Sequence, residues 1–293
     1  MQPAKSLTKA ALWMAGWLTL MLVVAVAGKE ATREVAVFEL MLLRSLIGLV
    51  ILYPLVHAHG GLRAMRTTRL AEHAMRNGVH YAAQYGWFVA LTLIPLAHVV
   101  AIEFTMPLWT AVLAAAFLGE RFTVFKAAAV VLGLLGVLLI VQPDAAGISA
   151  GQGIALAAAV GFAGSVILVK SLTRTEHPVA IIFWMLVLQS IIGLVPALAV
   201  WRWPSAEVWP WIVLVAIGGT FSHYCFARAL HHAEATVVVP MDFIRVPLTA
   251  LLGWWIYAER FDRWAVLGAA LILVGNGINL ARPAAAYRPG RPS

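Results

Sequence analysis

Charge is scarce in this sequence, and so is cysteine. Only 12% of its 293 residues are charged against 62% hydrophobic, and the mean hydropathy is +0.88. A soluble domain of this size cannot bury so much apolar surface, and the remainder would form aggregating patches. The natural solvent is a bilayer. The single cysteine, Cys225, excludes an internal disulfide and any zinc site built on a cysteine pair. Gly-x-Ser-x-Gly, a Walker loop and His-Glu-x-x-His are also missing, so no catalytic residue, metal site or cofactor is expected. His231 and His232 are adjacent, read as lying on a loop, and their side chains would point apart on any helix, which argues against a metal. The net charge of +8 would suit nucleic acid, but the basic residues are not gathered into a patch with interleaved aromatics. They sit in short connectors, and no nucleic-acid partner is expected.

What is present is a succession of apolar runs. A spanning helix needs about 20 mostly apolar residues. That rule predicts an all-α integral membrane protein with ten transmembrane helices, at 10–28, 37–56, 76–95, 98–118, 124–142, 152–171, 178–200, 209–230, 235–257 and 264–281. The connectors are short, so neighbouring helices should be antiparallel. "GGLRAMRTTR" and "QPDAAGISAG" are the plainest breaks, and 282–293 reads as a disordered basic tail. The first run ends in Ala-Val-Ala-Gly at Ala25–Gly28, which imitates a signal-peptidase site. It is long for a signal peptide and is read as the first span.

Orientation follows from Lys and Arg. With the N-terminus inside, thirteen fall in inward segments (Lys5, Lys9, Arg63, Arg66, Arg69, Arg76, Arg121, Lys126, Lys170, Arg174, Arg282, Arg288 and Arg291) and five in outward ones (Lys29, Arg33, Arg202, Arg260 and Arg263). This bias places both termini in the cytoplasm of a bacterial-type inner membrane. Tryptophans such as Trp201, Trp203, Trp254 and Trp255 gather on the other side as an interfacial belt.

The chain also repeats itself. "EFTMPLWTAVLAAAFLGERF" at Glu103–Phe122 answers "DFIRVPLTALLGWWIYAERF" at Asp242–Phe261. A shift of 139 aligns 85–136 with 224–275 without a gap, with 15 of 52 pairs identical. Chance in so aliphatic a chain would give roughly five or six. Tyr85 pairs with Tyr224, Glu120-Arg121-Phe122 with Glu259-Arg260-Phe261, and Glu103 with Asp242. The shift equals five spans, an odd number, so the copies should cross the membrane in opposite directions. Such inverted repeats are typical of secondary transporters, with the site near the midplane where the halves meet.

Two five-helix units, each with a Thr-Ala-x-Leu stretch leading to Glu-Arg-Phe and then a glycine-bearing last helix, resemble the EamA units of the drug/metabolite transporter superfamily. The arginine of "FELMLLRSLIGLVILYPL" is similar to that family's second helix. The resemblance implies units at 10–142 and 152–281, movement of small organic metabolites without ATP, and Glu-Arg pairs that mark the fold. It does not choose a substrate.

Ionisable groups at membrane depth cost about 2.5–3.5 kcal/mol each and usually face a cavity or a partner. Glu39, Arg44, Glu103, Arg228, Asp242 and Arg245 qualify; Glu39 and Arg228 lie near span ends and can snorkel. Asp242 and Arg245 are three apart and share a helix face. Either they are a structural pair or they grip a zwitterion. The candidate substrate-binding residues are Arg44, Tyr85, Trp109, Tyr224, Asp242 and Arg245, and Glu103 is the candidate for proton coupling, because a buried carboxylate can exchange a proton near neutral pH. Arg245 is expected to keep Asp242 ionised. His80 and His223 are read as hydrogen-bonded core residues. Pro107, Pro240 and Pro247 should kink spans 4 and 9. Gly153, Ala157 and Gly161 form a small-residue stripe for close helix contact, within the chain or in a homodimer. The expected function is secondary transport of a small polar metabolite, with amino acids or their derivatives as the first guess. The competing reading is an intramembrane enzyme acting on lipid headgroups.

Overall fold

The computed structural model describes residues 6–118, 124–142, 148–172, 175–232, 241–242, 244–259 and 263–280. Among these residues there are helices and no strand. In chain order they are α1 (Leu7–Ala31), α2 (Val37–Ala58), a 3-10 turn (Gly61–Met65), α3 (Leu70–Leu93), α4 (Leu96–Glu103), α5 (Met106–Leu118), α6 (Val124–Val141), α7 (Ala150–Leu172), α8 (Pro178–Ala199), α9 (Trp209–His232), α10 (Arg245–Tyr257) and α11 (Arg263–Leu280).

Five stretches are long and apolar enough to cross a membrane: Leu7–Ala31, Val37–Ala58, Leu96–Phe117, Ala150–Val169 and Pro178–Ala199. Shorter apolar helices lie at Ala127–Ile140 and Arg263–Ile278. Their outward faces carry large side chains that water would not tolerate in such number, including Val50, Phe117 and Val195, each at least 74% exposed. A helix apolar on all sides needs lipid on the side its neighbours leave open.

The helix bounds carry the repeat. Leu70–Leu93, Met106–Leu118 and Val124–Val141 recur as Trp209–His232, Arg245–Tyr257 and Arg263–Leu280, every bound displaced by 139 positions. The packing repeats as well. α1 lies on α9 as α7 lies on α3, while α2 pairs with α8, α4 with α10 and α6 with α11. If each second-half helix is the image of its counterpart, the first two contacts exchange, and those of α2 with α8 and α6 with α11 map onto themselves. The tightest approaches obey the same operation. A Cβ on Gly136 would stand 2.5 Å from the Gly268 carbonyl oxygen, and one on Gly275 would stand 2.8 Å from that of Ala129. Displacement by 139 turns Gly136 into Gly275 and Ala129 into Gly268. One backbone contact is made twice.

Several sequence expectations change. The third span starts at Leu70, not 76, because Glu72, His73 and Asn77 lower its hydropathy without ending the helix. Arg76 is therefore inside α3 and buried, not in a connector. Span 4 is two helices, α4 and α5, separated at Phe104–Thr105. Pro107 is the second residue of α5 and Pro247 the third of α10, where a missing N–H is harmless. Both start helices and neither kinks one. His231 and His232 end α9 and are not on a loop. The small-residue stripe divides: Gly161 closes on Ala83 of α3, whereas Gly153 and Ala157 face outward. Lys5, Glu120, Arg121, Phe122, Pro143, Arg174, Pro240, Arg260, Phe261, Arg282 and the tail with Arg288 and Arg291 lie outside the described residues.

Candidate functional site

The break in the fourth span creates the site. Pro107 cannot donate to the Glu103 carbonyl four residues back, so the helix stops there. The freed ends are satisfied locally. The Thr105 hydroxyl donates to the Ile102 carbonyl at 2.7 Å, and Asn276 of α11 donates Nδ2–H to the Phe104 carbonyl, also at 2.7 Å. Glu103 is thus the last residue of α4. Its counterpart Asp242 stands three residues before Arg245, the first of α10.

Arg245 joins them. Its Nη2 donates to Glu103 Oε1 at 2.8 Å and to Asp242 Oδ2 at 3.4 Å, and its Nη1 donates to Glu103 Oε2 at 3.4 Å. Its Nε lies 3.3 Å from Asp242 Oδ1. The guanidinium sits 4.7 Å above the centre of the Phe104 ring, and the residue is 5% exposed. The sequence pairs Arg245 with Asp242 alone, whereas the structure brings it closer to Glu103.

Each carboxylate has its own indole. Trp87 of α3 donates Nε1–H to Glu103 Oε2 at 2.8 Å, and Trp17 of α1 donates to Asp242 Oδ1 at 2.7 Å. In the alignment Trp87 corresponds to Phe226, which packs against Trp17 at 4.9 Å. The second half therefore keeps the donor but takes it from α1. One guanidinium against two carboxylates leaves a single negative charge, held by charge-assisted hydrogen bonds in a low-dielectric setting. A proton, or the ammonium of a bound solute, would neutralise it.

The remaining candidates lie elsewhere. Tyr85 stacks on Phe38 at 4.2 Å, and Tyr224 meets Trp13 edge-on at 5.8 Å. Trp109 donates Nε1–H to Thr105 Oγ1, in the break just before α5, at 3.2 Å and lines a small recess with Leu108, Val130, Gly133 and Leu134 between α5 and α6. Arg44 belongs to a different buried group, with Arg76, Tyr81 and His80. His80 does find a partner, Ser165 Oγ at 3.3 Å. Trp17, Arg76, Tyr81 and Gln189 were not singled out from sequence. Only Arg76, a charge within reach of an apolar run, left a readable trace. Among the described residues no group of three or more His, Cys, Asp or Glu is placed to hold a metal.

Comparison with known proteins gives this geometry a setting. The model of the EamA-like transporter family matches residues 8–142 and again 149–280. A riboflavin transporter of Brucella anthropi is 32% identical over 80% of this chain and 84% of its own. An S-adenosylmethionine uptake transporter of Rickettsia felis is 23% identical over 88% and 89%. A pseudopaline exporter of Pseudomonas aeruginosa is 27% identical over 84% and 87%. A solved crystal structure shares the fold with a TM-score of 0.65 at 21% identity, over 93% of this chain and 96% of the other. With a match in each half and helix bounds that repeat at one fixed displacement, this multi-pass membrane protein belongs to the EamA-like transporter family.

Proposed function

We propose that this chain is a secondary transporter of small polar organic metabolites, working by alternating access across the inner membrane. Its ten spans form two inverted five-helix units, 10–142 and 152–281, with both termini cytoplasmic and 282–293 as a basic tail. The observation that carries this reading is the sharing of Arg245 between Glu103 and Asp242, equivalent positions of the two halves, each three residues before a helix start. A charge cluster built from both halves can stay closed only while the halves keep one relative position. Rocking one half against the other must loosen it, and a proton or solute that alters its charge biases that motion.

The relatives' names span riboflavin, S-adenosylmethionine and pseudopaline, so family membership selects no substrate. An amino acid or derivative is proposed because the residual negative charge at Glu103, Asp242 and Arg245 suits an ammonium group. Glu103 is proposed as the proton-coupling carboxylate, with Asp242 and Arg245 binding solute. Arg44, Tyr85, Trp109 and Tyr224 stay in the proposed substrate path as flanking groups. A homodimer would use the outward Gly153 and Ala157.

Purified protein in liposomes tests the function. A panel of amino acids and their derivatives should be taken up and recovered chemically unchanged, and Arg245→Ala should abolish uptake. Recovery of a chemically altered solute or lipid would replace the transporter reading with an enzymatic one. Reporter fusions at Ser293 and within 143–150 should report opposite sides; the same side for both would end the inverted topology.

A further inference from the structure

A second buried group lies where α2, α3, α8 and α9 meet. Arg44 on α2 is 2% exposed and Arg76 on α3 is 6% exposed. Neither has a carboxylate partner among the described residues. The charged group acting on Arg76 is Arg44, a like charge. Arg76 Nη1 donates to Asn77 Oδ1 at 2.8 Å, and the Nε of both arginines makes no hydrogen bond. The Arg44 guanidinium packs against Gly219, where a Cβ would approach Nη2 to 3.2 Å.

Other polar atoms buried on these helices are also unspent. The Tyr81 hydroxyl, both side-chain polar atoms of Gln189, and the hydroxyls of Thr220 and Ser222 are buried without a hydrogen bond. Histidines 80 and 223 stand within electrostatic reach of both arginines and offer no negative charge. Glycine lets the helices close on two of these hydroxyls: a Cβ on Gly193 would stand 2.7 Å from the Tyr81 hydroxyl, and one on Gly48 would stand 2.8 Å from Thr220 Oγ1.

Arginine does not shed its proton in proteins, so two such cations buried together without an anion are costly. Buried hydroxyls and amides left unpaired add to that cost. An arrangement this unfavourable by itself becomes favourable once an oxyanion arrives, because guanidinium, hydroxyl and amide donors all point to one ligand chemistry. We propose that Arg44 and Arg76, with Tyr81, Gln189, Thr220 and Ser222, bind the anionic group of the transported solute, a carboxylate or phosphate. The proposal rests on the transporter reading. It assigns the negative end of the solute here and leaves the negatively charged Glu103, Asp242 and Arg245 group for its positive end. The four helices exchange in pairs under the repeat, α2 with α8 and α3 with α9, so the site lies at the seam of the halves.

The test is equilibrium binding to the full-length protein in phosphatidylcholine nanodiscs, read by thermal unfolding. Succinate and inorganic phosphate, against chloride at equal ionic strength, should raise the midpoint by a few degrees. Arg44→Gln and Arg76→Gln should each weaken that binding by about tenfold or more, and Arg44→Lys should restore part of it. The same two Gln variants should unfold at a higher temperature than wild type without anion, since each removes an uncompensated buried charge. A structural role for either arginine predicts the reverse. No anion-specific shift in the wild type, or a shift unchanged in both Gln variants, overturns the proposal. Stabilisation on adding phosphatidylglycerol to the discs, with none from succinate or phosphate, assigns the cluster to a lipid headgroup and also overturns it. Intact anion binding in protein that equilibrates no solute across liposomes would instead sink the transporter reading and leave the site standing.

Discussion

Glu259 reaches across the bundle to cap α4 at Leu96, whose backbone N–H lies 2.9 Å from Oε1 and 3.1 Å from Oε2. The N-cap residue there is Pro95, which offers no capping side chain. The same carboxylate pairs with Lys29 of α1 at 2.7 Å. It can fold back because Ala258 turns left-handed (φ 52°) and because Gly253 has no Cβ to collide with it. In the second copy this is the physical content of the Glu-Arg: Glu259 closes a helix of the first copy.

Glu259→Ala should therefore remove a helix cap and strand a half-buried lysine, at about 2–3 kcal/mol together. Gly253→Ala should act in the same direction by displacing the carboxylate, and the two losses should not add. Thermal unfolding in detergent of the two single variants and the double variant measures this.

At the shared guanidinium, Arg245→Ala leaves two partly buried carboxylates without a cation. The loss should reach about 3–5 kcal/mol, and Arg245→Ala with Glu103→Gln should recover part of it. A double variant no more stable than the single one would mean that Glu103 and Arg245 are not energetically coupled.

Glu103→Gln keeps shape and removes the exchangeable charge. Transport by this variant should lose the wild-type dependence on pH and on a proton gradient, measured in liposomes with imposed gradients. If that dependence survives in Glu103→Gln and disappears in Asp242→Asn, the coupling carboxylate is Asp242.

The two indoles allow a milder perturbation. Trp17→Phe and Trp87→Phe keep a ring and remove one charge-assisted hydrogen bond each, about 1.5–3 kcal/mol. Trp87→Phe should move the pH profile of transport to higher pH, because it removes a hydrogen bond that favours ionised Glu103, while Trp17→Phe should weaken solute binding and leave the profile in place. An unmoved profile in Trp87→Phe would show that its ring only packs.

The repeat was the most legible feature of the sequence, because aligned Glu103 and Asp242, Tyr85 and Tyr224, and paired glycines need no geometry to be seen. It carried the helix bounds of α3, α5 and α6 onto α9, α10 and α11. Arg76 was misplaced because hydropathy over a window of about 20 residues discounts a span that opens with Glu72, His73 and Asn77, although helix formation tolerates them. The pairing of Trp17 with Asp242 joins residues 225 positions apart and has no local signature. The break at Phe104–Thr105 was half legible: Pro107 marks it, but only the hydrogen bond from Asn276 shows that the chain starts a new helix instead of bending an old one.

The contact between Gly136 and Gly268 has one more consequence. Side chains that interlock must change rotamers, or ride over one another, when two helices turn. Here carbonyl meets Cα, and the side chains at the joint are Ile140 and Ile272, whose Cγ1 atoms stand 2.7 Å from where the glycines' Cβ atoms would be, so few torsions need resetting. Such a joint can rotate with little friction while its separation stays fixed, as a bearing does. Because α6 and α11 are exchanged by the repeat, the joint is made twice, and the two bearings flank the repeat's symmetry axis.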